Sequence, residues 1–408
     1  MAGASSAAAH SPAVTERQSH HLLELEGLRA LAAIAVLLTH AGFLSGATGG
    51  QILPGFLARM DIGVAIFFVL SGFLLYRPHA RHLVEGTPPA GNRSYALRRT
   101  ARLVPAWLMV LAGTLVLVPE SRSAHPTVWV TNLLQLQSLR LEWDLPGLAQ
   151  LWSLSTEVMF YIALPFLAVI VLRVAPRLGP NGHIWALLGL AAGSWGFRAL
   201  VGLGALPDGW SWTRTLPAVG DWFVVGMLMS AVLASEELRR PVSILVRAVP
   251  WHLYGVAACV FWVVTTRAAG PYDLAPPTTS ESAVKHLGYT VVAALIVAPS
   301  VLGARTPVSR ILSSRVLVYL GTISYGIFLW HLPIMFRVRE VLGLDVFAHG
   351  FWVTVVVTFA FSALVSAASW HLLEAPVQSW ARRRTTSVAT GANATEGGQR
   401  QDREREGT

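Results

Sequence analysis

The chain has 408 residues, of which 53% are hydrophobic and only 13% are charged, and its mean hydropathy is +0.53. Soluble globular proteins carry roughly 25% charged residues, so this composition excludes an ordinary soluble enzyme. The single cysteine, Cys259, excludes an intramolecular disulfide, a cysteine-based zinc site and a cysteine redox pair.

Ten hydrophobic runs follow one another along the chain, and each approaches the length that crosses a hydrocarbon core about 30 Å thick. We predict membrane-spanning helices at roughly 30–48, 61–76, 103–119, 152–172, 183–203, 216–234, 248–266, 284–302, 316–336 and 350–373. The predicted fold class is therefore an all-α polytopic protein of the cell membrane. Residues 21–384 form its membrane domain, and the small, polar and charged segments 1–20 and 385–408 are predicted to be disordered.

The net charge of +9 reflects the arrangement of the chain in the membrane rather than binding to nucleic acid. When successive connections are assigned to alternating sides, the side that holds both termini carries 22 of the 31 basic residues. Cytoplasmic segments of membrane proteins are enriched in lysine and arginine, so both termini are predicted to be cytoplasmic.

The first predicted span begins directly after Arg29 and contains His40, which lies 11 residues further along the chain. About three helical turns separate them, so both side chains share a helix face and lie about 16 Å apart along the axis. We expect Arg29 near the cytoplasmic boundary and His40 near the middle of the membrane. A neutral imidazole can act as a general base, which makes His40 a candidate catalytic residue. The alternative is a structural histidine that is hydrogen-bonded between helices.

Arg98 and Arg102 precede the third run with the i, i+4 spacing that places two guanidinium groups on one helix face. Such a pair suits a phosphate ligand, because each guanidinium can bind two phosphate oxygens. An ordinary cluster of cytoplasmic arginines beside lipid headgroups explains the same spacing, and the spacing alone favours this second interpretation.

Five further ionisable residues, in or just beyond predicted spans, are considered as functional candidates, because an ionisable group inside a membrane is costly. Glu157 and His331 fall in the outer parts of their spans, and either a functional or a packing role fits them. For Asp221, His371 and Glu374, a hydrogen bond that fixes helix packing is favoured.

Small residues and the absence of several known motifs give weaker evidence about function. Ser71 and Gly72 form a small pair inside the second run, which allows a helix or a ligand to approach closely. No nucleophile-elbow sequence surrounds Ser71, so it is not predicted to be a nucleophile. The sequence also contains no HExxH, P-loop or GxGxxG motif, and we predict no metal site.

Taken together, these motifs resemble the membrane acyltransferase-3 family over roughly residues 22–380. The stretches that carry the resemblance are Glu26-Gly27-Leu28-Arg29 through His40, residues 63–73, Arg98-x-x-x-Arg102 through Pro105, residues 152–161, residues 324–331, and Glu374-Ala375-Pro376. The resemblance implies ten membrane helices, acyl-CoA as co-substrate without a tightly bound cofactor, and transfer to a hydroxyl of a sugar or related acceptor.

The family's functional residues map onto this chain at four positions. Its essential histidine and arginine of the first span correspond to His40 and Arg29, and its R-x-x-x-R element, implied to meet the CoA phosphates, corresponds to Arg98 and Arg102. Many members carry an acidic residue where this chain has Ala65, so no acid role can be assigned there.

The resemblance leads to a mechanistic expectation. Acyl-CoA docks from the cytoplasm, His40 acts as general base or carries the acyl group, and Arg29 orients the donor or stabilises developing charge. Glu157 is a further catalytic candidate, and His331, Tyr161 and Ser71 are expected along the substrate path.

The acceptor and one rival function stay open at this stage. The composition and the Leu74-Leu75-Tyr76-Arg77-Pro78 stretch resemble a branch that acylates macrolide antibiotics, while other members modify cell-surface glycans. The rival is a proton-coupled transporter, in which His40, Glu157 and His331 form a proton or substrate path.

Overall fold

The structure is a computed structural model that describes residues 12–49, 55–86, 91–273 and 275–385, with side chains from residue 22 onward. The described residues form α-helices joined by short helical turns and loops, without a β-strand. In chain order the helices are α1 (Pro12–Leu44), α2 (Ile62–Glu85), α3 (Asn92–Leu117), α4 (Pro126–Leu133), α5 (Leu151–Val174), α6 (Gly182–Gly202), α7 (Leu216–Ala234), α8 (Glu236–Ala248), α9 (Pro250–Val264), α10 (Thr279–Leu302), α11 (Pro307–Leu312), α12 (Arg315–Thr322), α13 (Ser324–Val341) and α14 (Phe351–Ser369). A π-helical turn, Trp370–Glu374, follows α14.

Eight helices within the described residues are long and apolar enough to cross a membrane, and two bent helix pairs raise the number to ten. The pairs are α8 with α9, bent by 76°, and α12 with α13, bent by 69°. This arrangement confirms the predicted all-α polytopic membrane fold. The run at 316–336, however, is divided between α12 and α13, and the run at 248–266 corresponds mainly to α9, which meets α8 at a bend. At that bend, Pro250 begins a new helix, because proline lacks the N–H that would continue the preceding one.

The first helix differs from the predicted span at 30–48. It begins at Pro12 and ends at Leu44, so Arg29 lies in its interior and His40 lies four residues from its C-terminal end. The hydrophobic run begins only after Arg29, but Glu24 and Leu28 are buried in the helical stretch before it. Residues 1–11 and 386–408, most of the two segments predicted to be disordered, lie outside the described residues.

The α2–α7 contact is the most extensive between any two described helices, and small residues make it possible. A Cβ atom on Gly72 of α2 would collide with the backbone of Phe223, and one on Gly226 of α7 would collide with the backbone of α2. The hydroxyl of Ser230 donates a hydrogen bond of 2.6 Å to the carbonyl of Phe73. Close backbone approach through small residues is a common way for membrane helices to associate. Gly72 therefore serves helix packing, while its neighbour Ser71 is available for other contacts.

The connection between α3 and α5 folds into the helix bundle. Its Leu145 and Leu148 are almost completely buried. At its end, the Gln150 amide donates a hydrogen bond of 2.9 Å to the carbonyl of Leu329 in α13. This contact ties the beginning of α5 to the part of α13 that carries His331.

Candidate active site

A narrow cavity of about 60 Å³ lies between α1, α2, α3, α5 and α13. We call it the arginine cavity. Its charged lining residues are Arg29, Arg99, Arg102 and Glu157, and Ser71, Tyr161 and Tyr325 also face it. Six of these seven side chains lie on four helices that are distant in the sequence, and Tyr325 lies on a fifth. Of the eight predicted site residues, five meet here: Arg29, Ser71, Arg102, Glu157 and Tyr161.

Glu157 is held by two hydroxyl groups. The Ser71 hydroxyl donates a hydrogen bond of 2.5 Å to Oε1 of Glu157, and the Tyr161 hydroxyl donates one of 2.7 Å to the same oxygen. Tyr161 follows Glu157 by one helical turn on α5, whereas Ser71 comes from α2. A carboxyl oxygen can accept two hydrogen bonds, so the two hydroxyl groups together fix the orientation of the Glu157 side chain. The structure thus gives Ser71 a hydrogen-bonding role beside the carboxylate.

The arginines give the cavity an excess of positive charge. Arg29 forms an ion pair of 3.7 Å with Glu26 on the same helix, and it interacts electrostatically with Arg102 and Glu157. The Arg99 guanidinium lies over the rings of Tyr95 and Tyr161, at 5.9 and 5.8 Å from their centroids. Three guanidinium groups face one carboxylate, so the cavity favours an anionic ligand.

Arg98, which the sequence analysis pairs with Arg102, does not line the arginine cavity, whereas its neighbour Arg99 does. Residues at i and i+3 share a helix face as well as residues at i and i+4, so spacing could not distinguish the Arg99–Arg102 pair from the Arg98–Arg102 pair. Tyr95 does not distinguish them either, because it lies within one helical turn of both Arg98 and Arg99.

His40 and His331 form a contact that we call the histidine pair. Nδ1 of His40 lies 3.2 Å from Nε2 of His331, and the ring centroids are 5.0 Å apart. Nδ1 of His40 also lies 2.8 Å from the carbonyl oxygen of Val36. His331 is fully buried, whereas His40 is only partly buried. The structure therefore brings together two histidines that the sequence separates by 291 residues.

The histidine pair and the arginine cavity are neighbours but do not share one lining. His40 is not a lining residue of the cavity, although it shares α1 with Arg29. Phe328 of α13 connects the two, because it lines the cavity and its ring centroid lies 5.9 Å from that of His331. Arg29 and His40 therefore belong to two adjacent sites along α1, Arg29 to the arginine cavity and His40 to the histidine pair.

A larger apolar groove of about 570 Å³ borders the arginine cavity. Its walls come from α3, α5 and the turn that follows α4. It shares four lining residues with the cavity: Arg99, Leu103, Leu154 and Tyr161. The stacked Arg99 and Tyr161 side chains therefore stand between the charged cavity and an apolar surface.

The other predicted ionisable residues do not line the arginine cavity, although Glu374 interacts electrostatically with Arg102. Asp221 is buried, and its carboxylate lies 2.8 Å from Nε2 of His286 and accepts a hydrogen bond of 3.0 Å from Thr290. Glu374, in the π-helical turn, accepts a hydrogen bond of 2.8 Å from Ser369. Nε2 of His371 lies 3.3 Å from the Tyr319 hydroxyl. The contacts of Asp221 and His371 join separate helices and support the helix-packing interpretation, whereas the Ser369–Glu374 bond lies within one continuous helical stretch. The sequence analysis did not identify His286, which stacks on Trp222.

Within the described residues, no group of three or more His, Cys, Asp or Glu side chains could hold a metal ion.

Comparison with known proteins connects this geometry to a family. A family model described as an acyltransferase domain matches residues 22–371. The peptidoglycan O-acetyltransferase OatA of Listeria monocytogenes is 26% identical over 391 residues, which cover 89% of this chain and 57% of that protein. The O-acetyltransferase OatA of Staphylococcus aureus is 25% identical over 392 residues, or 88% of this chain and 57% of that protein. The chain thus spans little more than half the length of these relatives. No solved structure matches it significantly.

Proposed function

Because the chain belongs to the acyltransferase family that its residues 22–371 match, we propose that it transfers an acyl group from acyl-CoA to a hydroxyl of a cell-surface glycan. Family membership confirms the resemblance found in the sequence and favours acyl transfer over the transporter alternative. The observation that carries the proposal is a cationic cavity that adjoins a histidine pair inside a membrane bundle.

The donor is assigned to the arginine cavity on the basis of charge. The phosphate groups of CoA are anionic, and Arg29, Arg99 and Arg102 offer guanidinium donors that can bind phosphate oxygens in pairs. Glu157 interacts electrostatically with Arg29, and so it helps to orient this arginine. With phosphates at the cavity, the thioester end of the donor extends along α1 toward His40.

The chemical step is assigned to His40. Its imidazole accepts the proton of the acceptor hydroxyl while the hydroxyl oxygen forms the new ester bond to the acyl carbon. The carbon–sulfur bond breaks, and His40 then delivers the proton to the departing thiolate of CoA. General base catalysis of this kind typically contributes about 10²–10⁴ in rate.

The relatives favour a glycan over a macrolide as the acceptor. The Listeria monocytogenes protein is named as a peptidoglycan O-acetyltransferase, and it aligns with most of this chain. A glycan hydroxyl and a macrolide hydroxyl require the same proton transfer, so His40 serves either acceptor and the experiment must separate them.

The test uses the purified full chain in lipid vesicles with radiolabelled acetyl-CoA and two acceptor panels, peptidoglycan fragments and macrolides. We expect label on the peptidoglycan fragments, and we expect replacement of His40 by Ala to lower transfer by at least about 10²-fold, because the general base is lost. The matched control is His183→Ala, at the beginning of α6 and away from both the cavity and the histidine pair.

Two results would contradict the proposal. Substantial transfer by His40→Ala, at protein levels equal to the wild type, would reject the role of His40. Label on macrolides alone would reject the glycan acceptor and retain the transferase.

A further inference from the structure

We infer that His331 is a positioning residue, which holds the His40 ring in the tautomer and orientation that leave Nε2 free to act as the base. This inference rests on the proposed function of His40. It goes further by assigning the proton positions of both rings and by giving His331 a task other than lining the substrate path.

The proton on His40 is fixed by a backbone carbonyl. Nδ1 of His40 lies 2.8 Å from the carbonyl oxygen of Val36, one turn earlier on α1. A carbonyl oxygen can only accept a hydrogen bond, so Nδ1 must carry the proton. In a neutral imidazole, the other nitrogen then holds a lone pair. Nε2 of His40 is therefore the basic atom.

The proton on His331 is fixed in the same way. Nδ1 of His331 lies 2.7 Å from the carbonyl oxygen of Phe328, so this nitrogen is also a donor. Its Nε2 is left with a lone pair that faces Nδ1 of His40 at 3.2 Å. The N–H of His40 is thus shared between two acceptors, the Val36 carbonyl and the His331 ring.

Burial restricts the two rings to this pattern of protons and hydrogen bonds. His331 is fully buried, and the apolar residues Leu37, Ala41, Leu332 and Met335 pack as one cluster on the same stretches of α1 and α13. Unsatisfied polar groups in such surroundings are costly, so the two rings keep the one arrangement that satisfies every contact. The opposite tautomer of His331 would place a proton on Nε2 and lose its bond to Phe328.

The hydrogen bonds at Nδ1 also stabilise the positively charged imidazolium form of His40. When Nε2 of His40 takes the acceptor proton, the ring becomes an imidazolium, and its Nδ1–H already has two acceptors in place. Among the described residues, Nε2 itself has no hydrogen-bond partner, so the acceptor hydroxyl meets no competing protein group there. His331 therefore acts through His40 and does not touch the reacting atoms.

The first experiment measures acetyl transfer by His331→Phe and His331→Gln. Hydrogen bonds to charged groups are worth about 1.5–3 kcal/mol, so loss of the His331 acceptor in H331F should lower kcat about 10- to 100-fold. KM for acetyl-CoA should stay within about twofold, because the phosphate contacts are unchanged. In H331Q the amide oxygen can replace Nε2 as acceptor, and kcat should recover in part. The matched control, His183→Phe, should keep wild-type kinetics.

A loss of kcat that is equal in H331F and H331Q, or a rise in KM without a fall in kcat, would overturn the inference. Both variants are compared with the wild type by size-exclusion profile and thermal unfolding, so that misfolding is recognised.

The second experiment reads the tautomers directly and does not depend on activity. Nitrogen NMR of protein labelled with 15N-histidine distinguishes protonated from unprotonated ring nitrogens, and the signals that disappear in H331F and in His40→Phe identify the two rings. We expect both rings to be protonated at Nδ1. A proton on Nε2 of His331 would overturn the inference even if transfer activity is found. The expected tautomers without any transfer would instead indicate that the proposed function is wrong.

Discussion

Neighbouring arginines on α3 have different surroundings, although the sequence presents them as one basic cluster. Arg99 lines the arginine cavity and lies over two tyrosine rings, whereas Arg98 lines neither the cavity nor the adjoining groove. Consecutive residues point about 100° apart around a helix axis, which is enough to place one side chain in the cavity lining and its neighbour outside it. The chain therefore contains its own control for the role of the cavity.

We predict that Arg99→Gln raises KM for acetyl-CoA at least about tenfold, because a charged hydrogen-bond donor to phosphate is lost. Arg98→Gln removes the same charge one residue away and should change KM by less than about twofold. Steady-state kinetics on matched vesicle preparations measure both values. Equal effects of the two substitutions would indicate that general positive charge, rather than the cavity, attracts the donor.

At the scale of whole elements, the contact between α2 and α7 supports the arginine cavity. Gly226 of α7 lies against the backbone of α2 near Val69 and Phe73, on the helix that also carries Ser71. Any displacement of α2 would move the Ser71 hydroxyl away from Glu157. The packing of these two helices and the geometry of the site are thus coupled.

We predict that Gly226→Ala lowers the thermal unfolding midpoint in detergent, because forcing a methyl group into a packed contact costs about 1–3 kcal/mol. The control is Gly196→Ala on α6, where a Cβ atom would meet no neighbour within 4 Å. That substitution should leave stability unchanged or raise it by up to about 1 kcal/mol, since alanine favours a helix over glycine. An unchanged midpoint in Gly226→Ala would show that the helices can separate without loss of stability.

At the scale of the whole molecule, the distribution of charge and the two bent helix pairs determine the topology. Both termini are predicted to be cytoplasmic, which requires an even number of spans, and that number is ten when each bent pair crosses the membrane once. The ten-span arrangement depends on this, because α9 alone has only 15 residues. A helix of that length is short for a membrane crossing.

Cysteine labelling in whole cells tests the α8–α9 pair. In a Cys259→Ser background, single cysteines replace Glu237 at the beginning of α8 and Ala268 after α9, both of which are exposed. A membrane-impermeant thiol reagent should label the Ala268→Cys protein in intact cells. It should label the Glu237→Cys protein only after permeabilisation, because the two positions lie on opposite sides. Labelling of both from the same side would show that α8 and α9 do not form one span.

The sequence by itself determined the fold class, the family and most of the residue types of the site. Burying a backbone or an ionisable side chain in a membrane is costly, so long apolar runs and the rare charges among them are visible without a structure. Arg29, His40 and Glu157 were identified on this basis, whereas Arg102 was identified from the spacing of arginines just before the third run.

Only the tertiary structure decided which of these residues act together. Ser71 and Glu157 are 86 residues apart and His40 and His331 are 291 apart, and their contacts depend on how separate helices pack and rotate against each other. Helical rotation also decided that Arg99 rather than Arg98 faces the cavity. The sequence of one helix determines the angles between its side chains, but the packing of neighbouring helices determines which of these side chains faces the site.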